Sequence, residues 1–229
     1  MDLNFEELRE EQSWMAKQVY IPTLQHVFDP TAYLFGIDIQ YVGDDAYCAV
    51  AVYQMDGTPV QNYVLRTEAG MPYQSGFFCF REGPAILRIL RRILQRKNLL
   101  PSLLIIDGHG IAHPRGLGIA CWVGLKTNLP SIGIAKRPLL HYSGDLEEHR
   151  GAQLPIWHNN KIVGHALRTQ DHIKPIYVSP GYRVSIQQAT DIALGLSSHY
   201  RLAEPIRTAD HIARAFAKGE EVNAIVLSP

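Results

Sequence analysis

The residues best placed to do chemistry lie in the run Leu103-Leu104-Ile105-Ile106-Asp107-Gly108-His109-Gly110-Ile111-Ala112-His113-Pro114-Arg115. Four apolar residues lead into a carboxylate and then a glycine-rich turn. A short apolar run bounded by turn residues reads as a buried strand. Asp107 would then stand where a strand leaves its sheet, the place where open α/β folds gather ligands. The glycines let the backbone approach a ligand and offer it free N–H groups. A carboxylate beside such a turn suits metal-assisted chemistry on a substrate that carries phosphate. The plainer reading is an acidic turn after a core strand.

Two further carboxylates support the chemical reading. Asp38 lies between Ile37 and Ile39 in an apolar stretch, and a carboxylate there is costly unless it is paired or bound to metal. Glu82 follows Phe77-Phe78-Cys79-Phe80-Arg81 at a loop-to-helix junction; it could instead form a plain surface pair with Arg81. If the strands carrying Asp38 and Asp107 are neighbours, the two carboxylates face each other and their repulsion demands a cation. Hard oxygen ligands favour Mg²⁺, with Mn²⁺ as the alternative, and such a centre would activate water and stabilise a phosphodiester transition state. Lys136 follows a short apolar run and reads either as a snorkelling lysine or as a charge near the scissile phosphate. His109 and His113 are four apart, but Pro114 and the glycines argue against a helical zinc pair.

The elements that hold these groups can be read from periodicity. Residues 5–19 look helical. Three strands follow, 33–42, 46–55 and 59–67, with Asp56-Gly57 as a hairpin signal. They should form an antiparallel meander. Gly83-Pro84 should open a helix, with proline near its first position. Ile86, Ile89, Leu90 and Ile93 give that helix a face to pack on the sheet. Its Arg88, Arg91, Arg92, Arg96 and Lys97 read as a solvated face. Beyond the strand ending at Asp107, helix 117–126 and strand 131–135 are expected. Segments 161–167 and 175–179 should pair as a hairpin. Helices are expected over 185–200, capped by Ser185, and from about 209 to 218. Residues 142–154 read as a loop insertion. The order gives an α/β chain with a mixed sheet and helices packed on it, its first and fourth strands adjacent at the centre.

Bulk properties narrow the class. The chain has 229 residues, 46% of them hydrophobic and 19% charged, as expected for one globular domain over 1–229. Lys+Arg and Asp+Glu both number 22, so any nucleic-acid surface must be local rather than global. The three cysteines, Cys48, Cys79 and Cys121, sit in apolar runs and are expected to be buried thiols. No run approaches the length of a membrane span, and Met1-Asp2-Leu3-Asn4-Phe5-Glu6-Glu7 lacks a leader pattern, so a cytoplasmic protein that does not engage membranes is expected.

The motifs taken together resemble the endonuclease V family, deoxyinosine-directed repair nucleases with a ribonuclease H-like fold. The segments that carry the resemblance are Gly36-Ile37-Asp38, Met71-Pro72-Tyr73, Gly76 to Pro84, Ile106 to Gly118, Ile132 to Lys136, Val178-Ser179-Pro180-Gly181 and Glu204-Pro205-Ile206-Arg207. The resemblance implies that Asp38, Glu82 and Asp107 form an acidic metal site, with Asp210 nearby and Lys136 holding the phosphate at the cut. It implies that Tyr73 is a wedge filling the space of a displaced base. Gly76, Phe78, Gly108, His109, Gly110, His113 and Leu139 would wall the lesion pocket. The family nicks the second phosphodiester bond 3′ to inosine and leaves 3′-hydroxyl and 5′-phosphate ends. Extruding the base into a tight pocket would let the enzyme exclude guanine and adenine, which carry amino groups that hypoxanthine lacks.

The chain departs from the family where Pro72-Tyr73 is followed by Gln74-Ser75 rather than Ile-Pro, which leaves a less rigid wedge loop; Ile206 also replaces a frequent threonine. The expected partner is inosine-containing nucleic acid, DNA before RNA, bound by a monomer. Arg115, Lys126, Arg137 and Arg183 are candidates to follow the strand. The rival readings are an inosine-specific endoribonuclease acting on single-stranded RNA, a non-catalytic inosine-binding module, and a metal-dependent hydrolase of small phosphate esters.

Overall fold

The computed structural model describes residues 4–97 and 99–228. Helix α1 (Phe5–Ala16) leads through an extended connection into strands β1 (Tyr33–Val42), β2 (Asp45–Gln54) and β3 (Pro59–Glu68). Helix α2 (Phe78–Lys97), strand β4 (Pro101–Asp107), helix α3 (Ile119–Thr127) and strand β5 (Ser131–Ala135) follow. The C-terminal part holds β6 (Gln153–His158), β7 (Lys161–Leu167), β8 (Ile176–Tyr182), α4 (Ile186–Gly195), α5 (Glu204–Ala217) and β9 (Ile225–Leu227). The strands form a nine-stranded sheet in the order β6-β7-β8-β5-β4-β1-β2-β3-β9.

The meander β1-β2-β3 is antiparallel, β1 pairs in parallel with β4, and β4 pairs in parallel with β5. This core order, with helices on both faces, is the ribonuclease H-like mixed sheet. Strand periodicity sorts its side chains. Phe35, Ile37 and Ile39 join Leu104 and Ile106 in the core under α2 and α3. Leu34 joins Leu103 and Ile105 under α4 and α5. Asp38 and Asp107, out of step with the first set, therefore belong to the α5 face. No helix among the described residues is long and apolar enough to cross a membrane.

Several elements depart from the sequence expectations for identifiable reasons. Helix α2 begins at Phe78, so Pro84 lies inside it rather than opening it. Proline removes one helical N–H bond; close by, the Arg81 carbonyl accepts from the Gly70 N–H at 3.0 Å, drawing the preceding loop onto the helix. Strand β6 falls partly in the expected loop. It is an edge strand, where Pro155 does not interrupt an inner ladder. The three-residue β9 is too short to show periodicity. Helix α1 ends at Ala16 rather than 19, and α4 stops at Gly195 rather than 200. Helix α5 starts at Glu204, five residues before the expected start, with proline in its first turn. Ser185 caps α4 as expected, accepting from the Gln188 N–H at 3.2 Å. Segments 161–167 and 175–179 do pair antiparallel, through His165 to Leu167. All three cysteines are free and buried.

One close approach fixes the α5 face. A Cβ added to Gly36 would stand 2.4 Å from the Cβ and carbonyl carbon of Pro205, so only glycine lets the start of α5 lie on β1. Gly36→Ala is expected to cost about 1–3 kcal/mol by overpacking, read as a lower urea midpoint. Because α5 carries Asp210, the variant should also shift that carboxylate relative to Asp38.

Candidate active site

The parallel pairing of β1 with β4 ends at Ile37 opposite Ile106. The next residues, Asp38 and Asp107, are thus neighbours where β4 ends while β1 continues to Val42. Asp38 is 8% exposed and Glu82 5%. Gln40, two residues along β1 and on the same face, donates from Nε2 to Asp38 Oδ2 at 3.2 Å and to Asp210 Oδ1 at 3.3 Å. Lys136 Nζ, just past β5, donates to Asp107 Oδ2 at 3.0 Å and lies 3.7 Å from Asp210 Oδ1. Arg214, one turn along α5, grips Asp210 with Nε and Nη2, both at 3.0 Å.

The electrostatics follow from this crowding. Burial pushes the Asp38 carboxyl well above its ordinary range, and the charges of Asp107 and Asp210 push it further. Burial, then Asp38 and Asp107, do the same to Glu82. Asp107 is raised by burial, against the charge and hydrogen bond of Lys136. Asp210 is the exception. Burial raises it, but the Arg214 hydrogen bonds and the charge of Lys136 outweigh that effect, leaving it below the ordinary value. Burial disfavours the Lys136 charge, and Asp107 reverses the balance, so this ammonium holds its proton more tightly than usual.

Glu82 comes from α2, on the sheet face opposite Asp38, Asp107 and Asp210. Among the described residues no three His, Cys, Asp or Glu side chains converge as a finished metal site. The donor set nevertheless suits a hard divalent cation, because the buried Asp38 and Glu82 and the half-buried Asp107 crowd together more carboxylates than Lys136 and Arg214 balance. Asp38, Asp107 and Glu82 can supply its oxygen ligands. Arg81 forms no surface pair with Glu82: it donates to the Met71 carbonyl at 2.6 Å and lies 4.1 Å from the Tyr41 ring centroid.

A cavity of about 170 Å³ begins one residue beyond Asp107. This is below the roughly 300–1,000 Å³ of drug-sized sites and suits a single flat ring system. Tyr73, Gly76, Phe78, Gly108, His109, His113 and Leu139 all line it. Gly108 has φ +143°, and a Cβ there would strike Ile119 at 2.5 Å, so the chain turns from sheet to pocket at a position only glycine fits. Tyr73 is 70% exposed at the mouth. His109 Nε2 faces the Arg137 carbonyl at 3.0 Å, so this nitrogen carries the proton, and burial lowers its pKa to about 4. His113 falls to about 4 as well, through burial and then the charge of Arg115. Both rings are neutral at physiological pH. Gly110 does not line the cavity. Its N–H donates to Ser179 Oγ at 2.8 Å, and a Cβ there would meet the Pro180 carbonyl at 2.0 Å, so it packs against β8.

Some participants escape the sequence reading. Gln40 and Arg214 could have been found by asking which residues share a face with Asp38 and Asp210, two along a strand and four along a helix. Gln12, Cys79, Leu117 and Ile119 in the pocket lining carry no local signal, because tertiary packing alone brings them there. Arg115, expected to follow a nucleic-acid strand, turns inward onto Gln12.

The chain is similar to known proteins in both sequence and fold. The family model described as endonuclease V matches residues 15–211. The endonuclease V of Roseiflexus castenholzii is 42% identical over 187 residues, 81% of this chain and 82% of that protein. The crystal structure of the Streptomyces avermitilis endonuclease V superposes with TM-score 0.85 at 33% identity, covering 94% of each chain. That of the Ciona intestinalis endonuclease V, in complex with a DNA 24mer containing an inosine followed by a ribo-adenosine, gives TM-score 0.81 at 24% identity. It covers 94% of this chain and 98% of that one, a likeness of fold.

The raised carboxyls make a testable statement about stability. A carboxyl whose folded pKa exceeds its unfolded value favours folding at low pH, and that contribution is lost as pH rises through the interval between the two. In EDTA, Asp38→Asn should therefore raise Tm more at pH 8 than at pH 5, by roughly 2–4 °C per kcal/mol relieved. Added Mn²⁺ should stabilise the parent chain but not the variant. Thermal melts at both pH values, with and without Mn²⁺, read both effects.

Proposed function

The chain belongs to the endonuclease V family, and on that premise we propose that it is a Mg²⁺-dependent endonuclease, with Mn²⁺ as a substitute, that nicks DNA at the second phosphodiester bond 3′ to deoxyinosine. The ends would be a 3′-hydroxyl and a 5′-phosphate, and the role DNA repair. One observation carries this reading: a base-sized cavity opens at Gly108, one residue past Asp107 and its neighbour, the buried Asp38. The inosine-containing DNA held by the Ciona intestinalis protein supports it further.

The division of labour follows from the geometry. The inosine leaves the stack and enters the cavity between the Tyr73–Cys79 segment and the Gly108–His113 turn. A purine carrying an added amino group fits a slot of this size less well than hypoxanthine does. Tyr73, at the mouth, recovers part of the lost stacking, about 1–3 kcal/mol for a base on an aromatic ring. His109 and His113 stay neutral and leave the pocket without a full charge. A divalent ion held by Asp38, Asp107 and Glu82 would supply an activated water and charge stabilisation at the phosphate. Lys136, anchored on Asp107, presents its ammonium beside that phosphate. Asp210, fixed by Arg214 and Gln40, stays ionised and keeps Lys136 aligned.

End-labelled duplex DNA with one inosine, undamaged duplex and inosine-containing single-stranded RNA test the proposal on a denaturing gel, with Mg²⁺ or EDTA. A Mg²⁺-dependent nick immediately after the 3′ neighbour of inosine is expected, strongest on DNA; RNA cut in preference would make the chain an endoribonuclease. Asp38→Ala and Asp107→Ala should abolish cutting while inosine binding persists, and Lys136→Ala should lower kcat by about 10²–10³-fold. Full activity in either aspartate variant would sink the assignment. Binding without any metal-dependent product would leave an inosine-binding module.

A further inference from the structure

Gln12 is fully buried, with 0% exposure, although it lies on α1 among exposed glutamates. It precedes the region that the family model matches, which begins at residue 15. Its side chain enters the lining of the base-sized cavity. There its Nε2 donates to the Leu117 carbonyl at 2.7 Å and to the Gly76 carbonyl at 3.2 Å. Both residues line the cavity, and they belong to different segments of its wall. A single amide thus ties the Tyr73–Cys79 segment to the turn before α3.

Arg115 completes the junction. Its Nε donates to Gln12 Oε1 at 2.5 Å and its Nη2 donates to the Gly76 carbonyl at 2.5 Å. Its guanidinium lies 4.6 Å from the Phe77 ring centroid. Gly76 has φ +80°, a conformation that favours glycine, and a Cβ there would stand 2.7 Å from Arg115 Nη2 and push the guanidinium aside. Every polar atom of the Gln12 amide faces a protein partner. It cannot read a base directly and acts through the walls it joins.

We propose that Gln12, braced by Arg115, is a positioning residue that sets the width of the base pocket and so its selectivity for inosine over the normal purines. The inference rests on the reading of the cavity as an inosine pocket. Removing the amide frees two carbonyls on separate wall segments, and a slot that can widen discriminates less against an added amino group. The loss should fall on recognition more than on chemistry, because Lys136 and the carboxylates make no contact with Gln12.

The test compares the parent chain with Gln12→Leu, Gln12→Glu and Arg115→Lys on inosine-containing and guanosine-containing DNA duplexes, with Mg²⁺. Leucine keeps the bulk without hydrogen bonds. Glutamate keeps the acceptor for Arg115 but offers the two carbonyls no donor. Lysine leaves the Gln12 amide in place and serves as a readout should the Gln12 variants fail to fold, as judged by thermal melts. For Gln12→Leu and Gln12→Glu, KM on the inosine duplex should rise roughly tenfold, as two lost hydrogen bonds imply. The fall in kcat should be smaller, and the preference for inosine over guanosine should drop with the rise in KM. Arg115→Lys should move the same ratio in the same direction. A lower Tm with KM and preference intact would make Gln12 a purely structural brace and overturn the proposal. A parent chain without any preference for inosine would instead overturn the reading of the pocket, and this inference with it.

Discussion

The rest of the site is organised around a charge conflict created by strand register. Parallel pairing of β1 with β4 sets Ile37 against Ile106, so the following residue on each strand is an aspartate and the two are neighbours in a buried setting. Neither can be moved without breaking the central ladder, because a one-residue slip would also send Phe35, Ile37 and Ile39 to the wrong face. The conflict is therefore fixed in the fold, and the surroundings answer it. Lys136 reaches Asp107 from β5, Gln40 bridges Asp38 and Asp210, and Arg214 grips Asp210. These groups settle Asp210 but leave Asp38 and Glu82 held toward protonation. A protein that keeps such a deficit is suited to a divalent cation, which answers charge that no further side chain is placed to answer.

The two sheet faces contribute unequally. The α5 face carries Asp38, Asp107 and Asp210, and the start of α5 lies on β1 only because residue 36 has no side chain. The α2 face contributes Glu82, in a helix whose first turn also supplies Phe78 to the pocket. Helix α2 therefore links the pocket wall to the carboxylates: Phe78 and Glu82 are four residues apart, about one turn of the helix.

Much of this was legible in the chain itself. The apolar run into Asp107, the carboxylate within Ile37-Asp38-Ile39 and the hairpin at Asp56-Gly57 carry period and turn chemistry that short-range rules read well. Adjacency of the first and fourth strands followed from topology. The misses share a cause. Pro84 points to a helix start by local rules, yet tertiary packing carries the helix back to Phe78. Pro155 hides β6, because proline is tolerated only at an edge and the edge is not visible in sequence. Gln12 and Arg115 are a helix surface residue and a loop cation by local rules; burial by distant parts of the chain alone makes them a junction. The family motif supplied the pocket residues together, but it could not separate Gly110, which packs on β8, from its neighbours that face the cavity.

Gly108 is the point at which the two halves of the site meet. Asp107 ends β4 among the carboxylates, and Gly108, at φ +143°, turns the chain so that the next residues wall the pocket. Its N–H is held by the Ile134 carbonyl at 3.0 Å, on the strand that also leads to Lys136. On the proposed reading, recognition and cutting would be joined through this turn yet spatially distinct, with the base to one side of the carboxylates rather than over them. An enzyme built this way would break the backbone at a fixed offset from the base it reads. It would not act on the glycosidic bond of that base, because the carboxylates lie outside the slot. Cleavage displaced from inosine, with the base left attached, is the outcome this arrangement favours, and the offset would be set by where the Gly108 turn, tied to Ile134, places the pocket beside Asp107.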